Sequence, residues 1–351
     1  MNTPHNIYIH VPFCVAKCRY CAFFSRALRA PDWDTYTDRI IDEIGHFSGI
    51  LGRISVPTVF FGGGTPSLMP PKKFATIMDA IYKHFDVAPY AEITIEANPG
   101  TLDNKKLGEF CAAGVNRMSV GAQSLDDEKL KFLGRIHNAY DARQLIDNGM
   151  RRGIRVSADF IYGLPGESVD DVIKICDEIN RIGITHCSLY ELTIEPNTPF
   201  GKMNLDMPTN DTMAEMYIAI QNNLKLPRYE VSNYAQDGFE CRHNQNVWDG
   251  EPYIGIGNGA AGRIFLDATW YEELGGGKMF KPMSNDARAI ERVITGMRTM
   301  RGVRTDPELK KILNIEFAKS HNDVLMFSGD RMRATDAGIL VLDNLIEKLV
   351  K

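Results

Sequence analysis

Long apolar runs are missing from this chain of 351 residues. With no stretch of about 18 or more consecutive apolar residues, nothing in it reads as a transmembrane helix. The opening Met1 to His10 lacks the charged, then apolar, then small-residue order of a secretory signal, so a cytoplasmic protein is expected. Basic excess is absent too: 40 Lys and Arg stand against 45 Asp and Glu, a formal charge of -5. A partner recognised chiefly through its phosphates needs a basic face, so nucleic acid is not an expected partner. Low-complexity sequence is limited to Gly275-Gly276-Gly277, which reads as a turn. Cysteine is sparse and odd in number, seven in all. Without an export signal such a set does not form a disulfide framework, and clustering among the seven points to metal or redox chemistry. What remains, 44% hydrophobic and 9% aromatic, is ordinary for a packed globular chain of roughly two domains and excludes disorder and coiled coil.

Short β-rich runs alternate with longer segments whose apolar residues recur at helical spacing. Six runs predict strands: Ile7 to Val11, Thr58 to Phe61, Ile93 to Ala97, Met118 to Gly121, Val156 to Ile161 and Cys187 to Leu192. Between them, Tyr36, Ile40, Ile41, Ile44 and Phe47 share one helical face, as do Phe74, Ile77, Met78, Ile81 and Phe85 on the next. Pro31-Asp32 supplies a helix start, Gly114 a stop, and further helices are expected over Ala139 to Arg152 and Val169 to Ile182. Six βα units fit either an open doubly wound sheet or an incomplete barrel, and periodicity does not separate the two. Both place a site at the C-terminal ends of the strands. The pattern fades after about Pro199. Residues 201–285 read as a linker and an α+β region, with a helix near Thr212 to Leu224 and a β-like stretch at Tyr229 to Tyr234. Residues 286–351 read as a small helical domain, with helices near Asp286 to Met300 and Thr335 to Leu349, following a first domain over residues 1–200.

The densest chemistry lies just after the first expected strand, where Cys14, Cys18 and Cys21 form a C-x3-C-x2-C array. At seven cysteines in 351 residues, three at a preset spacing would arise by chance about 0.003 times. One loop carrying three thiolates wraps a metal centre, and both zinc and an iron–sulfur cluster accept such ligands. Zinc wants a fourth protein ligand, which would have to be His10 or the distant Cys241 or His243. Three thiolates alone suit a four-iron four-sulfur cluster with one iron left open for a small molecule. The second expected strand ends in Gly62-Gly63-Gly64-Thr65-Pro66, where absent side chains let the backbone approach a ligand. Glu96, Gln123, Arg135 and Asp159 lie at or just after strand ends. A later G-x-G-x-x-G, Gly257 to Gly262, precedes strand-like Arg263 to Asp267 instead of a helix, which argues against a dinucleotide site. Cys111 and Cys176 read as small buried hydrophobes on helical faces and Cys187 lies in a strand; His186 and Tyr190, on one face of the sixth strand, are placed to line the barrel mouth, with ordinary packing the expected role.

Cys14, Cys18, the aromatic Tyr20 and Cys21 after an early strand resemble the signature of the radical S-adenosylmethionine (SAM) superfamily. The resemblance implies a TIM-like partial (β/α)6 barrel with a smaller α+β C-terminal region. It also implies a 4Fe-4S cluster on the three cysteines, SAM at the open iron, and the Gly63-Gly64-Thr65 stretch against the SAM amino group. Electron transfer from such a cluster can cleave SAM to a 5′-deoxyadenosyl radical, so the hard chemistry belongs to the cofactor. Matched in order, Tyr8, Glu96, Gln123, Arg135, Asp159 and the run Ile161-Tyr162-Gly163-Leu164-Pro165-Gly166 resemble the oxygen-independent coproporphyrinogen oxidase branch over nearly the whole chain. That implies that these residues, with Tyr20, hold SAM, whose cation, carboxylate and diol suit acidic, basic and amide side chains.

The branch contains two functional kinds. Its authentic oxidases carry a further cysteine two residues after the third and a longer N-terminal segment. Here that position is Phe23, and the chain starts a few residues before its first strand. Both features are similar to the haem chaperones of the branch, which deliver haem to acceptor haemoproteins. So is Cys241-Arg242-His243-Asn244-Gln245-Asn246-Val247-Trp248, which resembles their His-Asn-x-x-Tyr-Trp motif with Val247 in the tyrosine position. Ala261 stands where the family often has histidine. The resemblance therefore implies haem as cargo and His243 as a haem contact. As partners it implies acceptor haemoproteins, membrane-associated respiratory ones included, and it leaves room for a homodimer. Oxidative decarboxylation of coproporphyrinogen III propionates in porphyrin biosynthesis is the competing reading, so whether the chain is an enzyme stays open.

Overall fold

The structure, a computed structural model, describes residues 3–351; Met1 and Asn2, part of the stretch read for an export signal, lie outside the described residues. The six expected strands form, covering every expected residue but Leu192: β1 (Asn6–Val11), β2 (Ser55–Gly63), β3 (Asp86–Ala97), β4 (Arg117–Gln123), β5 (Arg155–Tyr162) and β6 (His186–Glu191). They pair in parallel in the order in which they occur in the chain. A doubly wound sheet reverses its order at a switch point. This order never reverses, so successive right-handed βα units carry the sheet round into a barrel. The ring stays open, because β1 and β6 pair with later strands and not with each other.

Those later strands come from residues 201–285 and extend the same sheet to eleven strands. β7 (Asn233–Ala235) adds antiparallel to β6. On β1 lies parallel β8 (Tyr253–Ile256), followed by antiparallel β9 (Ala261–Leu266), β10 (Thr269–Leu274) and β11 (Met279–Pro282). Gly275, Gly276 and Gly277 turn β10 into β11 at φ 73, 69 and 81, a left-handed run that glycine adopts without a Cβ penalty.

Helices α1 (Trp33–Leu51), α2 (Pro71–His84), α3 (Asn104–Ala112), α4 (Asp127–Leu133), α5 (Ala139–Arg151) and α6 (Val169–Ile182) alternate with the barrel strands. α1 starts at Asp32, whose carboxylate accepts the Thr35 N–H at 3.0 Å. Capping boxes open α5 and α6, Asn138 with Asp141 and Ser168 with Asp171. Ile7, Ile9, Phe61, Ile95 and Phe160 of the strands and Ile40, Phe47, Phe74 and Phe110 of the helices share one fully buried core.

After Pro199 the structure departs from the sequence expectation in three places. The helix α7 (Asn210–Asn223) forms, but of Tyr229 to Tyr234 only the last two residues join a strand. The Glu230 carboxylate takes the Ser232 N–H at 2.9 Å and the Asn233 amide at 2.7 Å, closing a local turn in place of a ladder. After α8 (Arg242–Trp248) and α9 (Asn285–Gly296), the segment expected as one helix splits into Asp336–Ile339 and Leu342–Leu349. The Val341 N–H bonds back to the Gly338 carbonyl, a tightened turn that ends the first piece. The end region is also not purely helical: Val303–Arg304, Leu325–Ser328 and Arg331–Ala334 form a three-stranded antiparallel sheet. It has an apolar cluster of its own around Val293, Met297, Leu309, Met332 and Leu349, joined by Tyr217 of α7. Among the described residues no helix is long and apolar enough to cross a membrane.

Candidate functional site

A cavity of about 470 Å³ opens at the C-terminal ends of the barrel strands. Eleven of the thirteen residues singled out in the sequence line it: Cys14, Cys18, Tyr20, Cys21, Gly63, Gly64, Thr65, Glu96, Gln123, Arg135 and Asp159. The cysteine loop is held at several points. Phe13–Cys14 pairs with Arg26–Ala27, the Arg19 N–H donates to the Leu133 carbonyl at 3.1 Å, and the Phe200 N–H donates to the Arg19 carbonyl at 3.0 Å. Under the loop runs the end of β2, close enough that a Cβ on Gly64 would lie 2.8 Å from the Phe13 carbonyl oxygen and 3.0 Å from Cys14 Sγ. Glycine is therefore a packing requirement there.

The Gly63 N–H donates to Glu96 Oε2 at 3.0 Å. Poor solvation in the cavity pushes the Glu96 carboxyl up to about 8, and the neighbouring Asp159 charge adds to the push. Asp159 is raised by the same desolvation, against hydrogen bonds donated by Ser119 Oγ at 2.9 Å and Ser157 Oγ at 3.3 Å. The pair thus retains a proton near neutral pH that a bound cation would displace. Next to it the β4–β5 register breaks between Val120 and Gln123, and Gln123 has φ 64, a left-handed conformation that costs a side-chain-bearing residue on the order of 1 kcal/mol or more. That kink brings Gln123 to the cavity wall.

Arg135 donates to Cys18 Sγ at 3.2 Å, to Asn98 Oδ1 at 2.6 Å and to the Gly121 carbonyl at 2.9 Å, while its Nε is buried without a partner. Asn98 also donates to Thr65 Oγ1 at 2.9 Å, so one amide ties the glycine-rich strand end to the arginine. Asn98 is not among the residues expected from the sequence; the signal for it is the Asn-Pro-Gly turn two residues after Glu96. The run from Ile161 to Gly166 is organised from outside itself: Glu167 Oε2 accepts the N–H groups of Gly163 at 2.7 Å and Leu164 at 3.0 Å, and Oε1 binds Lys129 at 2.5 Å. Tyr190, expected to pack, is 42% exposed on the cavity wall. His186 is buried between Ser157 Oγ and the Tyr229 hydroxyl, 2.7 Å from each.

Tyr8 and His243 are not brought to the cysteines. They line a second cavity of about 390 Å³ on the inner side of the carboxylates, which shares Glu96, Ser119, Asp159 and Tyr190 with the first. The Tyr8 hydroxyl bonds His10 Nδ1 at 3.0 Å. α8 is seated on Glu92, which accepts the Arg242 N–H at 3.1 Å and the His243 N–H at 3.0 Å. Burial pushes the His243 imidazole down to about 4, so it is neutral at physiological pH. Its Nδ1 lies 2.7 Å from Thr58 Oγ1, whose own proton goes to Asn6 Oδ1 at 2.8 Å. Thr58 can then only accept from the imidazole, which fixes the proton on Nδ1 and leaves a lone pair on Nε2. Val247 and Ala261 line this same inner cavity.

A family model described as the radical SAM superfamily matches residues 8–179. The heme chaperone HemW of Escherichia coli (strain K12) is 38% identical over 266 residues, covering 74% of this chain and 70% of its own length. HemW of Mycobacterium tuberculosis (strain ATCC 25618 / H37Rv) is 32% identical over 374 residues, covering 99% of this chain and 95% of its own. The chain belongs to the radical SAM superfamily, in its HemW family. The solved structure of coproporphyrinogen III oxidase (HemN) from Escherichia coli, itself a radical SAM enzyme, matches 99% of this chain and 90% of its own with a TM-score of 0.81. At 18% identity that likeness is one of fold.

Radical SAM membership implies SAM and a 4Fe-4S cluster, and the first cavity fits both groups. All three loop cysteines carry free thiols, Gly64 keeps the space against Cys14 clear, and Arg135 has an unused buried donor. The zinc reading fails on its fourth ligand. His10 has both ring nitrogens engaged, by Tyr8 and by the Phe24 carbonyl at 2.7 Å, while Cys241 lies against Glu92 and His243 against Thr58. Among the described residues no three His, Cys, Asp or Glu side chains gather closely enough around one point to hold a single ion. Three free loop thiols without a fourth protein ligand suit an iron–sulfur cluster with one iron left open.

Proposed function

We propose that this chain is a haem chaperone that carries a SAM-binding 4Fe-4S cluster and passes haem to acceptor haemoproteins. Its likeness to heme chaperone HemW proteins, at 32% identity across 99% of the chain and 38% across 74%, is the observation that carries this reading. Cys14, Cys18 and Cys21 are the cluster ligands. Gly63, Gly64 and Thr65 receive the amino acid end of SAM, Arg135 and Gln123 its carboxylate and polar edges, and the Glu96–Asp159 pair its positive charge and diol. Tyr20 closes the wall behind them, and Tyr8 orients His10 beneath the glycines. When bound, the cluster supplies an open iron and single electrons, and SAM a carbon–sulfur bond that can be cleaved.

His243 is assigned as the haem contact. A neutral imidazole with Nδ1–H tied to Thr58 and a lone pair on Nε2 is prepared to ligate iron without first losing a proton. Val247 and Ala261 supply neither a hydroxyl nor an imidazole at their own positions, so His243 is the one imidazole among the described residues lining that cavity. The acceptors are haemoproteins, with membrane-associated respiratory proteins among them, met in the cytoplasm.

The test is a haem titration of the anaerobically reconstituted protein and of His243→Ala, followed by the Soret band and by haem retained after gel filtration. Stoichiometric binding that weakens at least about tenfold in the variant is expected. Equal binding by both would remove His243 from the site. Failure of both to bind, with conversion of coproporphyrinogen III propionates to vinyl groups under reduction with SAM, would replace the chaperone with the decarboxylase.

A further inference from the structure

Arg117 opens β4 at the inner end of the barrel and is 3% exposed. A guanidinium offers five donors and stays charged at any physiological pH. Among the described residues this one makes no side-chain hydrogen bond and no ion pair within 4 Å. The two nearest acids are already occupied. Glu92 accepts Arg155 at 2.9 Å, the N–H groups of Arg242 and His243, and the Cys241 thiol. Asp159 accepts the hydroxyls of Ser119 and Ser157. Arg117 instead faces the inner cavity of about 390 Å³, the size of a small-ligand pocket. Asn244 is a second side chain on that wall without a hydrogen-bond partner among the described residues, and the rings of Tyr8, Phe60, Trp248 and Tyr253 supply flat apolar surface.

The Glu92 and Asp159 charges offset that of Arg117, but a guanidinium without a hydrogen-bond partner leaves its donors unused toward the cavity. A planar fork at one side of an aromatic-walled chamber selects a planar anion carried on a flat body. We infer that the inner cavity is a binding site for a carboxylate on a planar aromatic ligand, with Arg117 gripping the carboxylate through both arms. The inference does not depend on the chaperone reading, because the same chemistry serves a side-chain carboxylate of a bound tetrapyrrole or a separate small aromatic acid.

The full chain with its cluster reconstituted is titrated calorimetrically with 3-phenylpropionate and with 3-phenylpropanol, which differ only in the charged group. The acid should bind at least about tenfold more tightly than the alcohol. In Arg117→Met the preference should vanish, and in Arg117→Lys, which keeps the charge without the fork, it should shrink. Circular dichroism checks that the variants fold, and the acid–alcohol comparison on the wild type stands even where they do not. Acid and alcohol binding alike, or a preference that survives Arg117→Met in a folded protein, would overturn the assignment. Once the preference is established, displacement of the acid by haem identifies the carboxylate as the tetrapyrrole's own, and simultaneous binding identifies a separate acid. Haem binding lost in His243→Ala with the acid preference intact would separate the two readings.

Discussion

Replacing Gly64 with alanine isolates the contact that seats the cysteine loop. The added methyl would lie 2.8 Å from the Phe13 carbonyl oxygen, 2.9 Å from that of Val11 and 3.0 Å from Cys14 Sγ, where ordinary contact begins near 3.4 Å. Two of these neighbours are backbone atoms, and the Val11 carbonyl already accepts the Gly64 N–H at 2.8 Å. The two backbone oxygens cannot swing away as a side chain could, so β1, β2 or the loop has to shift by several tenths of an ångström. Overpacking of this kind costs about 1–3 kcal/mol. With the unfolding entropy of a chain this long, Tm should fall by about 1–4 °C. Loss of cluster should be the larger effect, because the part of the structure that must move is the part that holds Cys14. Iron and sulfide per chain after anaerobic reconstitution, read beside a thermal melt, measure both. Gly49→Ala is the control: it lies in α1, a Cβ there meets nothing within 4 Å, and the change should leave the cluster intact and stabilise by about 0.4–1 kcal/mol. A Gly64→Ala protein with full iron and sulfide that melts within about 1 °C of wild type would refute the reasoning, since it would mean that the loop yields freely.

Three further outcomes are expected. Asn98→Ala removes the amide shared by Thr65 and Arg135 and leaves buried polar groups unpaired, a penalty of about 1–3 kcal/mol; SAM affinity should drop about tenfold with cluster content unchanged, and equal affinity by equilibrium dialysis would take Asn98 out of the site. Glu96 keeps its proton up to about 8 in the free protein and should release it to a bound cation, so SAM binding should strengthen as pH rises from about 6 to 8 with close to one proton released at neutrality. Calorimetry in buffers of different ionisation enthalpy counts that proton, and the same release from Glu96→Gln would place it elsewhere. His243 binds a proton near 6.5 when unfolded but only near 4 when folded, so stability should decline as pH falls through that window, by about 2 kcal/mol between pH 7 and 5. His243→Gln should flatten that part of the acid limb in urea titrations; parallel profiles would show that the buried imidazole is not held neutral.

Local sequence determined much of this protein. The six strands follow from apolar runs and the helices from amphipathic spacing, with starts written in Asp32, Asn138 and Ser168. Cys14, Cys18 and Cys21 are legible because they share one loop, where spacing in the chain is spacing in space. Most of the first cavity was legible for a related reason: in a barrel of sequential parallel strands, residues at successive strand ends meet around one mouth whatever their separation in the chain. Choosing the barrel over the doubly wound sheet needed the strand order, which periodicity does not encode. The end region was read as helical because its strands are only two to four residues long, too short for alternation to register.

What tertiary structure alone decided is which residues face which chamber. Tyr8, assigned from the sequence to the SAM site, faces the inner cavity, because side chains along a strand alternate between faces and Tyr8 lies three residues short of the end of β1. His243 reaches that same chamber from 185 residues beyond Thr58, carried by a helix that Glu92 anchors through backbone N–H groups. Arg117 carried no signal of its own, and the Asn-Pro-Gly turn that marks Asn98 is weak, since an arginine at a strand start or an asparagine in a turn is usually a solvated group. Only the rolled sheet sets them against unfilled space, and that placement turns ordinary polar residues into candidate ligand contacts.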